Sequence, residues 1–283
     1  MKILVTGATG FIGYHIIHYL LNNGYEVIAT GTSREKAMQR DWFSRVKFVE
    51  HFTGKDDTQT DLYIKFDRPV KLIHLAWPGL PDYKSPAHIE EYLPAQYAFL
   101  ENMICNGLKD VTITGTCFEY GMKNGLLTEN MEPEPANPYA VAKDSLRRQL
   151  MMLQATHSFS LKWIRLFYMY GKGQHVKSLI IQLDAALAKG ENTFNMSGGQ
   201  QVRDYLPVEK VAENIARIAM QNKITGIINC SSNKPVTVES MVREYLKQVG
   251  GKIELNLGYY PYPDYEPMEF WGDNTKMLKA LEN

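Results

Sequence analysis

Apolar residues in this chain form short runs that alternate with stretches of helical period. The first run lies at residues 3–5, and apolar side chains then recur at Ile16, Ile17 and Leu20, on one face of a helix. Short strands that are apolar throughout and alternate with helices are typical of a parallel sheet covered on both faces. The pattern therefore predicts an α/β fold built on a doubly wound parallel sheet. Further strands are expected at residues 25–30, 46–49, 70–75, 110–114, 160–166 and 226–230, and further helices at 85–108, 139–153, 179–188 and 208–220.

Three glycines separate the first strand from the first helix, in the segment KILVTGATGFIG at residues 2–13. Gly7 permits a tight turn, Gly10 lets the backbone approach a bound group closely, and Gly13 lets the helix pack against the strand. The start of the helix offers unpaired N–H groups and the positive end of the helix dipole to a pyrophosphate. A purely structural glycine turn is the alternative, but the strand and the helix on either side favour a Rossmann-like dinucleotide site. Its predicted cofactor-binding residues are Gly7, Thr9, Gly10, Phe11, Ile12 and Gly13.

After residue 168 the regular alternation of strands and helices weakens. Glycine-rich turns and an aromatic- and proline-rich run at 258–272 follow, without an internal repeat or a low-complexity linker. We therefore expect a smaller C-terminal α/β substrate lobe that is threaded through the first domain rather than joined to it by a hinge. The predicted dinucleotide-binding domain comprises residues 1–166 plus about 206–230, and the substrate lobe comprises about 167–205 plus 231–283.

The end of the second predicted strand bears on the choice of cofactor. Proteins that prefer NAD usually carry an acidic residue there, which binds the ribose 2′-hydroxyl. Here the strand ends in Gly31-Thr32-Ser33-Arg34, with no carboxylate before Glu35. An arginine beside a hydroxyl group can bind a 2′-phosphate, which a carboxylate would repel. We therefore predict that Ser33 and Arg34 bind NADP(H), with NAD(H) as the other option; a solvated loop arginine is the alternative.

The overall composition excludes several classes of partner. The 283 residues are 45% hydrophobic and 22% charged with a formal net charge of zero, so no basic surplus indicates nucleic acid or an anionic membrane surface. No apolar run approaches the ~20 residues of a membrane span. Cys105, Cys117 and Cys230 are odd in number and far apart, which argues against disulfides and against a metal site. His74, inside an apolar run, is expected to be a hydrogen-bonded core histidine. We expect a cytoplasmic protein without a signal peptide.

One pair of side chains in the helix predicted at 139–153 has the spacing of a catalytic site. Tyr139 and Lys143 are four residues apart, which places them on one face of the helix. A tyrosine with its ordinary pKa of ~10 must become more acidic to transfer protons near neutrality, and a neighbouring ammonium favours its phenolate. An ordinary surface pair is the alternative for this spacing alone. Thr116 supplies a hydroxyl upstream of the pair, just past the strand predicted at 110–114.

Together, the segment TGATGFIG at residues 6–13, Thr116 and the pair Tyr139-x-x-x-Lys143 resemble the extended branch of the short-chain dehydrogenase/reductase superfamily, the NAD-dependent epimerase/dehydratase family. Members of that branch are epimerases, dehydratases and reductases of nucleotide-linked sugars. The resemblance implies that Tyr139 exchanges a proton with the sugar, and that Lys143 lowers the pKa of Tyr139 and bonds the nicotinamide ribose. It also implies that Thr116, five residues before Gly121, orients the carbonyl oxygen and shares its developing charge.

The resemblance implies further contacts to cofactor and substrate. Relatives usually have asparagine, which touches the sugar-nucleotide phosphates, where this chain has Tyr168. Arg203, in an Arg-Asp-Tyr context, is the main candidate for the diphosphate; an ion pair with Asp204 or Glu209 is the alternative. Relatives also dimerise through the helix at 85–108 and the helix that bears the catalytic tyrosine, so a homodimer is expected. The implied cofactor-binding residues are Leu75, Ala76, Trp77, Thr114, Tyr139 and Lys143, and the implied substrate-binding residues are Thr116, Tyr168 and Arg203.

The two residues after Thr116 narrow the choice of reaction. Related 4,6-dehydratases have an Asp-Glu pair there, whereas this chain has Cys117 and Phe118, which argues against dehydration. Cys117 is also out of register with the acid/base cysteine of bifunctional epimerase-reductases, so we expect a small buried residue there. The chain looks most like reductases of 4-keto-6-deoxy nucleotide sugars, such as the makers of dTDP-fucose or CDP-abequose. The predicted function is therefore NADPH-dependent 4-keto reduction in deoxysugar biosynthesis. A 4-epimerase that retains NAD and a non-catalytic NADP-binding sensor are the alternatives.

Overall fold

The computed structural model of the chain describes residues 1–54 and 57–282. Residues 55, 56 and 283, which the predicted domain boundaries include, lie outside the described residues. The strands are β1 Lys2–Thr6, β2 Glu26–Gly31, β3 Lys47–Glu50, β4 Lys71–His74, β5 Asp110–Thr116, β6 Gly125–Leu127, β7 Ser160–Leu166, β8 Tyr168–Tyr170, β9 Thr193–Asn195, β10 Val202–Pro207, β11 Gly226–Cys230, β12 Pro235–Thr237, β13 Glu254–Asn256 and β14 Phe270–Gly272. The α-helices are α1 Phe11–Asn22, α2 Arg34–Met38, α3 Leu62–Lys65, α4 Leu93–Cys105, α5 Pro138–Leu153, α6 Leu179–Ala188, α7 Val208–Met220, α8 Val238–Val249 and α9 Thr275–Leu281. Short 3₁₀ turns lie at Phe43–Arg45 and Cys117–Tyr120, and a π-helical turn lies at His88–Tyr92.

Within the described residues, seven strands form the central sheet, in the order β3-β2-β1-β4-β5-β7-β11, and neighbouring strands are parallel. In β1, which lies between β2 and β4, Leu4 is opposite Ile28 of β2 and Leu72 of β4. The chain moves outward from β1 to β3 and then crosses to β4 on the other side of β1. This order confirms the predicted α/β class with a doubly wound parallel sheet. In such sheets a ligand site forms at the carboxyl ends of the strands where the order reverses, which here is between β1 and β4.

Hydrophobic clusters cover both faces of the central sheet. Successive residues of a strand point to opposite faces. In β1, Ile3 belongs to the cluster that packs against α1, α7 and α9, whereas Leu4 belongs to the cluster that packs against α3, α4 and α5. Both side chains are completely buried. Burial on both faces explains why the strands are continuous apolar runs in the sequence.

Smaller sheets and a further hydrophobic cluster lie outside the central sheet. Strands β8, β10 and β12 form one small sheet, β9 pairs with β13, and β6 pairs with β14. The predicted division into two lobes stays a prediction. In the structure, Met277 and Ala280 of α9 pack in the core of the large sheet, although the range 231–283 was predicted to belong to the substrate lobe. The further cluster consists of Leu183, Ala186, Phe194, Met196, Val238, Val242 and Leu246.

The helix predicted at 85–108 is divided in the structure. The π-helical turn His88–Tyr92 leads into α4, which begins at Leu93. Pro94, in the first turn of α4, has no backbone N–H to donate to the preceding turn. The hydrophobic period continues across this junction, so the sequence pattern alone predicts one helix. The junction matters for function because it places His88 beside the site described next.

Candidate active site

The turn between β1 and α1 has the geometry that a dinucleotide requires. Gly7 has a φ of +65°, and a Cβ atom there would lie 3.0 Å from the amide nitrogen of Ala76. A Cβ atom on Gly13 would lie 2.3 Å from the carbonyl oxygen of Gly7, so only glycine lets α1 start this close to the turn. Gly10 is the N-cap of α1, and no side chain caps the first turn there. The helix N-terminus that begins at Phe11 therefore fits a pyrophosphate group.

Three further predicted residues lie in this turn and at the start of α1. The carbonyl oxygen of Thr9 accepts a hydrogen bond from Nη2 of Arg40 at 2.6 Å, and Arg40 was not predicted from the sequence. Phe11 faces Gly173, whose Cβ position is 3.7 Å from the Phe11 ring. Ile12 packs against the cluster on the α1 face of the sheet. The hydrogen bond from Arg40 to the Thr9 carbonyl leaves no signal in the sequence pattern, because a backbone carbonyl does not depend on residue type and any long cationic side chain nearby could donate to it.

Thr6 ties the glycine turn to the end of β4. Its Oγ1 accepts hydrogen bonds from the backbone N–H groups of Leu75 and Ala76 at 3.1 and 3.2 Å. Oγ1 also bonds Nδ1 of His74 at 2.9 Å, and the His74 ring stacks on Phe99 with centroids 5.5 Å apart. Burial lowers the pKa of His74 to about 3, so the ring is neutral. The prediction of a hydrogen-bonded core histidine is confirmed.

The end of β2 carries both a cation and carboxylates. Ser33 is the N-cap of α2, and its hydroxyl donates to the Glu35 carboxylate at 2.9 Å. The Arg34 guanidinium lies over the Phe43 ring, 5.6 Å from its centroid. The backbone N–H of Arg34 donates to Oε2 of Glu50 at 2.6 Å. Glu50 ends β3, so only the pairing of β2 with β3 brings its carboxylate to this position, and the sequence did not indicate it.

Thr116, Tyr139 and Lys143 come together at the carboxyl end of β5. Thr116 is the last residue of β5, and Asn137 caps α5, so Tyr139 and Lys143 occupy its first two turns. Nζ of Lys143 donates to the carbonyl oxygen of Thr114 at 2.9 Å, which fastens the helix to the strand. Thr116, Tyr139 and Lys143 are 6%, 7% and 1% exposed, so these polar groups face the interior. The spacing in the sequence therefore reflects a buried cluster and not a surface pair.

Burial dominates the electrostatics of this cluster. It raises the pKa of Tyr139, with the Glu119 carboxylate acting in the same direction and a hydrogen bond with Thr116 acting against it. It also lowers the pKa of Lys143 to about 7, with Glu119 acting against that shift. The sequence predicted that Lys143 makes Tyr139 more acidic. In the structure of the protein alone, burial raises the pKa of Tyr139 and the phenol is protonated, so the predicted effect of Lys143 and the cofactor stays a prediction.

Trp77 connects the cluster to the glycine turn. Its ring lies over the Lys143 ammonium, with Nζ 4.1 Å from the ring centroid. The residue before it in the chain, Ala76, is the one that lies against Gly7 of the glycine turn. The indole N–H donates to Nδ1 of His88 at 3.0 Å, and Nε2 of His88 bonds the carbonyl oxygen of Asp82 at 2.7 Å. His88 is completely buried, and its ring centroid is 5.3 Å from that of Tyr139. The sequence did not predict His88, since a lone histidine in a helical segment carries no distinctive pattern.

The two positions after Thr116 hold side chains without carboxylates. Cys117 and Phe118 are 6% and 8% exposed. Burial raises the pKa of the Cys117 thiol, so the group remains protonated. The prediction that Cys117 is a small buried residue is confirmed. Neither position can supply an acid or a base of the kind that the elimination of water needs.

Aromatic rings from two distant segments pack beside Tyr139, and the ring centroid of Tyr83 is 5.6 Å from that of Tyr139. The ring centroid of Tyr83 lies 5.1 Å from that of Phe118 and 5.7 Å from that of Tyr265. At the surface, Nζ of Lys84 pairs with the Asp264 carboxylate at 2.8 Å. The segments that follow β4 and precede β14 therefore meet over the site.

Arg203 forms a buried ion pair. Its Nη2 is 3.0 Å from Oε1 of Glu266, and the two side chains are 2% and 8% exposed. Its Nη1 donates to two backbone carbonyl oxygens, at 2.8 and 3.0 Å. The hydroxyl of Tyr168 donates to the other Glu266 oxygen. The partner is thus neither Asp204 nor Glu209, the acids considered from the sequence, because the fold brings the segment before β14 against β10. Binding of the diphosphate by Arg203 and Tyr168 stays a prediction.

A buried carboxylate holds the end of β5. Oε1 of Glu119 accepts a hydrogen bond from the backbone N–H of Thr116 at 2.9 Å, and Oγ1 of Thr116 accepts one from the N–H of Phe118 at 3.2 Å. Glu119 also accepts hydrogen bonds from Trp163 and Arg165 of β7. Glu119 was not predicted from the sequence. Its signal was the spacing Thr-x-x-Glu, which is that of a capping box at the start of a helical turn.

Fold and site together define the class of protein. The glycine turn fits a dinucleotide, and a buried Thr-Tyr-Lys cluster lies next to it, as in an enzyme of the extended short-chain dehydrogenase/reductase type that uses a nicotinamide cofactor. Residues 3–231 match the family model described as the NAD dependent epimerase/dehydratase family. The chain belongs to this family, and the resemblance stated from its sequence is confirmed.

Named relatives span nearly the whole chain. The dTDP-6-deoxy-L-talose 4-dehydrogenase (NAD(+)) of Aggregatibacter actinomycetemcomitans is 28% identical over 273 residues, which are 96% of this chain and 99% of the relative. The GDP-6-deoxy-D-talose 4-dehydrogenase of the same organism is 26% identical over 291 residues, which are 100% of this chain and 92% of the relative. Both are named as 4-dehydrogenases and not as 4-keto reductases.

Solved structures share the same architecture. MoeE5 in complex with UDP-glucose and NAD has a TM-score of 0.81 and 25% identity, and the match covers 100% of this chain and 92% of that one. The UDP-glucose 4-epimerase from Thermotoga maritima has a TM-score of 0.84 and 23% identity, with 99% and 92% covered. The second likeness concerns the fold alone. Both support the doubly wound architecture described above.

Proposed function

We propose that the protein reduces the 4-keto group of a nucleotide-linked 4-keto-6-deoxyhexose, with NADPH as the preferred cofactor and NADH as the other option. One observation carries this proposal: the hydroxyls of Thr116 and Tyr139 lie together in a buried site that has Cys117 and Phe118 where a dehydratase has carboxylates. Such a site can protonate a carbonyl oxygen but has no group for eliminating water.

The names of the relatives fit the reaction in this proposal, whereas the first relative is named for NAD(+) and not for NADP. Oxidation of a sugar 4-hydroxyl by a 4-dehydrogenase and reduction of the corresponding 4-keto group are the same reaction in opposite directions. The two relatives described above are named for 6-deoxy sugars linked to dTDP and GDP. A 6-deoxy nucleotide sugar is therefore the substrate class that this chain would take, with the base left open by the two different names.

In the proposed reduction, Thr116 and Tyr139 act on the carbonyl oxygen together. Oγ1 of Thr116 accepts a hydrogen bond from the N–H of Phe118, which orients the hydroxyl, and its proton would be donated to the substrate oxygen once the substrate is bound. Burial keeps the phenol of Tyr139 protonated, which is the form that can transfer a proton to that oxygen. A bound NADPH would supply the hydride to C4. Proton transfer leaves a phenolate on Tyr139, which the nearby ammonium of Lys143 stabilises.

The cofactor preference rests on the end of β2. The exposed guanidinium of Arg34 offers donors to a 2′-phosphate, and the hydroxyl of Ser33 would turn from Glu35 to add another. The Glu50 carboxylate beside the Arg34 backbone opposes this preference, since it would repel the phosphate. We expect Arg34 to prevail because its side chain can reach outward, whereas the carboxylate of Glu50 is engaged with a backbone amide. NADPH should therefore bind more tightly than NADH.

The test is a turnover assay with purified protein. The protein is mixed with NADPH and dTDP-4-dehydro-6-deoxyglucose, and the absorbance of NADPH at 340 nm is followed with analysis of the sugar. We expect one NADPH to be oxidised for each 4-keto group reduced, from protein that purifies without bound cofactor. Absence of NADPH oxidation with this sugar and with its UDP, CDP and GDP counterparts would contradict the proposal.

A second candidate is a 4-epimerase that retains NAD. The observation that favours it is the likeness to MoeE5, a structure with UDP-glucose and NAD, together with the Glu50 carboxylate at the end of β3. Its signature would be NAD that remains bound through purification and interconversion of 4-epimers without added cofactor. Thr116, Tyr139 and Lys143 would keep the same roles. A sensor without catalysis would show neither turnover nor epimerisation.

We also propose that the protein is a homodimer. Met151 and Met152, near the end of α5, are 51% and 74% exposed and could pack against a second copy of this helix. Light scattering should give twice the chain mass of 32.3 kDa.

Within the part of the chain that the structure describes, no helix is long and apolar enough to cross a membrane.

A further inference from the structure

Behind Thr116 lies a buried carboxylate that the proposed reaction does not use. Glu119, in the turn Cys117–Tyr120, is 0% exposed. Its Oε1 accepts the N–H of Thr116 at 2.9 Å, and its Oε2 accepts a hydrogen bond from Nε of Arg165 at 2.7 Å. The indole N–H of Trp163 donates to both oxygens, at 2.9 and 3.1 Å. Two side chains of β7 therefore hold the carboxylate while it holds the backbone of Thr116.

These contacts determine the position of Thr116 from two sides. Glu119 bonds its backbone N–H, and the N–H of Phe118 bonds its hydroxyl oxygen at 3.2 Å. Gly115 makes the arrangement possible, because a Cβ atom there would lie 2.2 Å from Nε1 of Trp163 and 2.4 Å from Oε1 of Glu119. A residue with any side chain at this position would push the carboxylate and the indole away from β5. The packing at the end of β5 thus leaves room for the hydrogen bond between the Thr116 amide and Glu119.

We propose that Glu119 is a positioning residue, which aims the hydroxyl of Thr116 at the oxygen that Tyr139 protonates. The inference rests on the proposed function, because Glu119 would position a hydroxyl of the same proton-transfer site. Stability alone does not call for such a group, since an apolar pair of similar volume often stabilises a core as well as a buried ion pair does. Misplacing a catalytic group by about 1 Å, in contrast, can lower the rate by about 100-fold.

Two double variants that both remove the buried ion pair separate positioning from stability. Glu119→Leu with Arg165→Met leaves the amide of Thr116 without its acceptor. Glu119→Gln with Arg165→Met removes the same charges but keeps an amide oxygen at that place. Neither variant leaves an unpaired charge in the interior, and NADPH titration and thermal unfolding verify the fold of both. For each, kcat and KM are measured with NADPH and the 4-keto sugar, and hydrogen–deuterium exchange is measured over residues 115–120.

We expect the leucine variant to lose about 10-fold to 100-fold in kcat at unchanged NADPH affinity, and the glutamine variant to stay within about threefold of the wild type. Exchange over residues 115–120 should be faster in the leucine variant. Equal kcat and equal exchange in the two variants would overturn the inference. A wild type that does not oxidise NADPH with the 4-keto sugars counts against the proposed function alone, because amide exchange reports on Glu119 without any substrate.

Discussion

Replacing Glu266 with glutamine should destabilise the fold, because it removes the charge that balances the buried guanidinium of Arg203. The two side chains are 8% and 2% exposed, and Nη2 lies 3.0 Å from Oε1. The Phe270 ring packs against the guanidinium, with Cζ 4.5 Å from the ring centroid. Glutamine keeps the shape of the side chain and changes only its charge. The variant therefore leaves a cation without a counter-ion in a site of low polarity.

The structure sets the size of this effect. Removing one partner of a buried ion pair typically costs about 3–5 kcal/mol of folding free energy. Nη1 of Arg203 keeps its bonds to the carbonyl oxygens of Val202 and Met268, and the glutamine oxygen can still accept one hydrogen bond. We therefore expect a loss at the lower end, about 3 kcal/mol. A protein with the usual stability of about 5–15 kcal/mol would stay folded but lose a large part of its margin.

The measurement is unfolding in guanidinium chloride, followed by tryptophan fluorescence, with the midpoint and the slope compared with those of the wild type. Asp264→Asn is the matched control, because it lies in the same segment and breaks an ion pair with Lys84 in which the side chains are 78% and 61% exposed. Solvent screens that pair, so its midpoint should barely move. Equal midpoints for Glu266→Gln and Asp264→Asn would refute the reasoning from burial.

Three further predictions concern the catalytic and cofactor residues. Tyr139→Phe should lower kcat by about 10²–10⁴ with NADPH affinity unchanged, and near-normal turnover would contradict its role as proton donor. Arg34→Ala should weaken the binding of NADPH about tenfold or more, because a charged hydrogen bond worth about 1.5–3 kcal/mol is lost, and should leave the binding of NADH unchanged in the same titration. Lys143→Met should raise stability at pH 6, because burial lowers the folded-state pKa of Lys143 from 10.5 to about 7. Between about pH 7 and pH 10.5 the unfolded chain binds more protons than the folded chain, so the free energy of unfolding of the wild type rises with pH. The stability advantage of Lys143→Met should therefore shrink towards about pH 10.

Much of the candidate site was predictable because its residues stand at fixed distances along single elements. Tyr139 and Lys143 share one helix, so their spacing alone places them on one face. The glycines of the first turn report a backbone requirement, a positive φ at Gly7 and a close approach at Gly13, that no other residue type satisfies. Glu119 was also within reach, since the Thr-x-x-Glu spacing is local.

Residues from distant parts of the chain could not be predicted in this way. Glu50 reaches the end of β2 only because β3 pairs with β2, and Glu266 meets Arg203 only because the segment before β14 packs against β10. His88 turns towards the catalytic tyrosine through a π-helical turn that the hydrophobic period does not reveal. None of these contacts repeats with a fixed period, so no local pattern indicates them.

The sequence by itself determined the alternation of apolar strands and amphipathic helices, and with it the parallel sheet, the glycine turn and the Thr-Tyr-Lys cluster. These features follow from backbone sterics and from burial on one or both faces, which act over a few residues. The tertiary structure alone decided the electrostatics. Burial, rather than the neighbouring Lys143, governs the pKa of Tyr139, and a glutamate from a remote segment neutralises Arg203. The free energy of a charge depends on the solvent and counter-ions around it, and these are set by the packing of the whole chain.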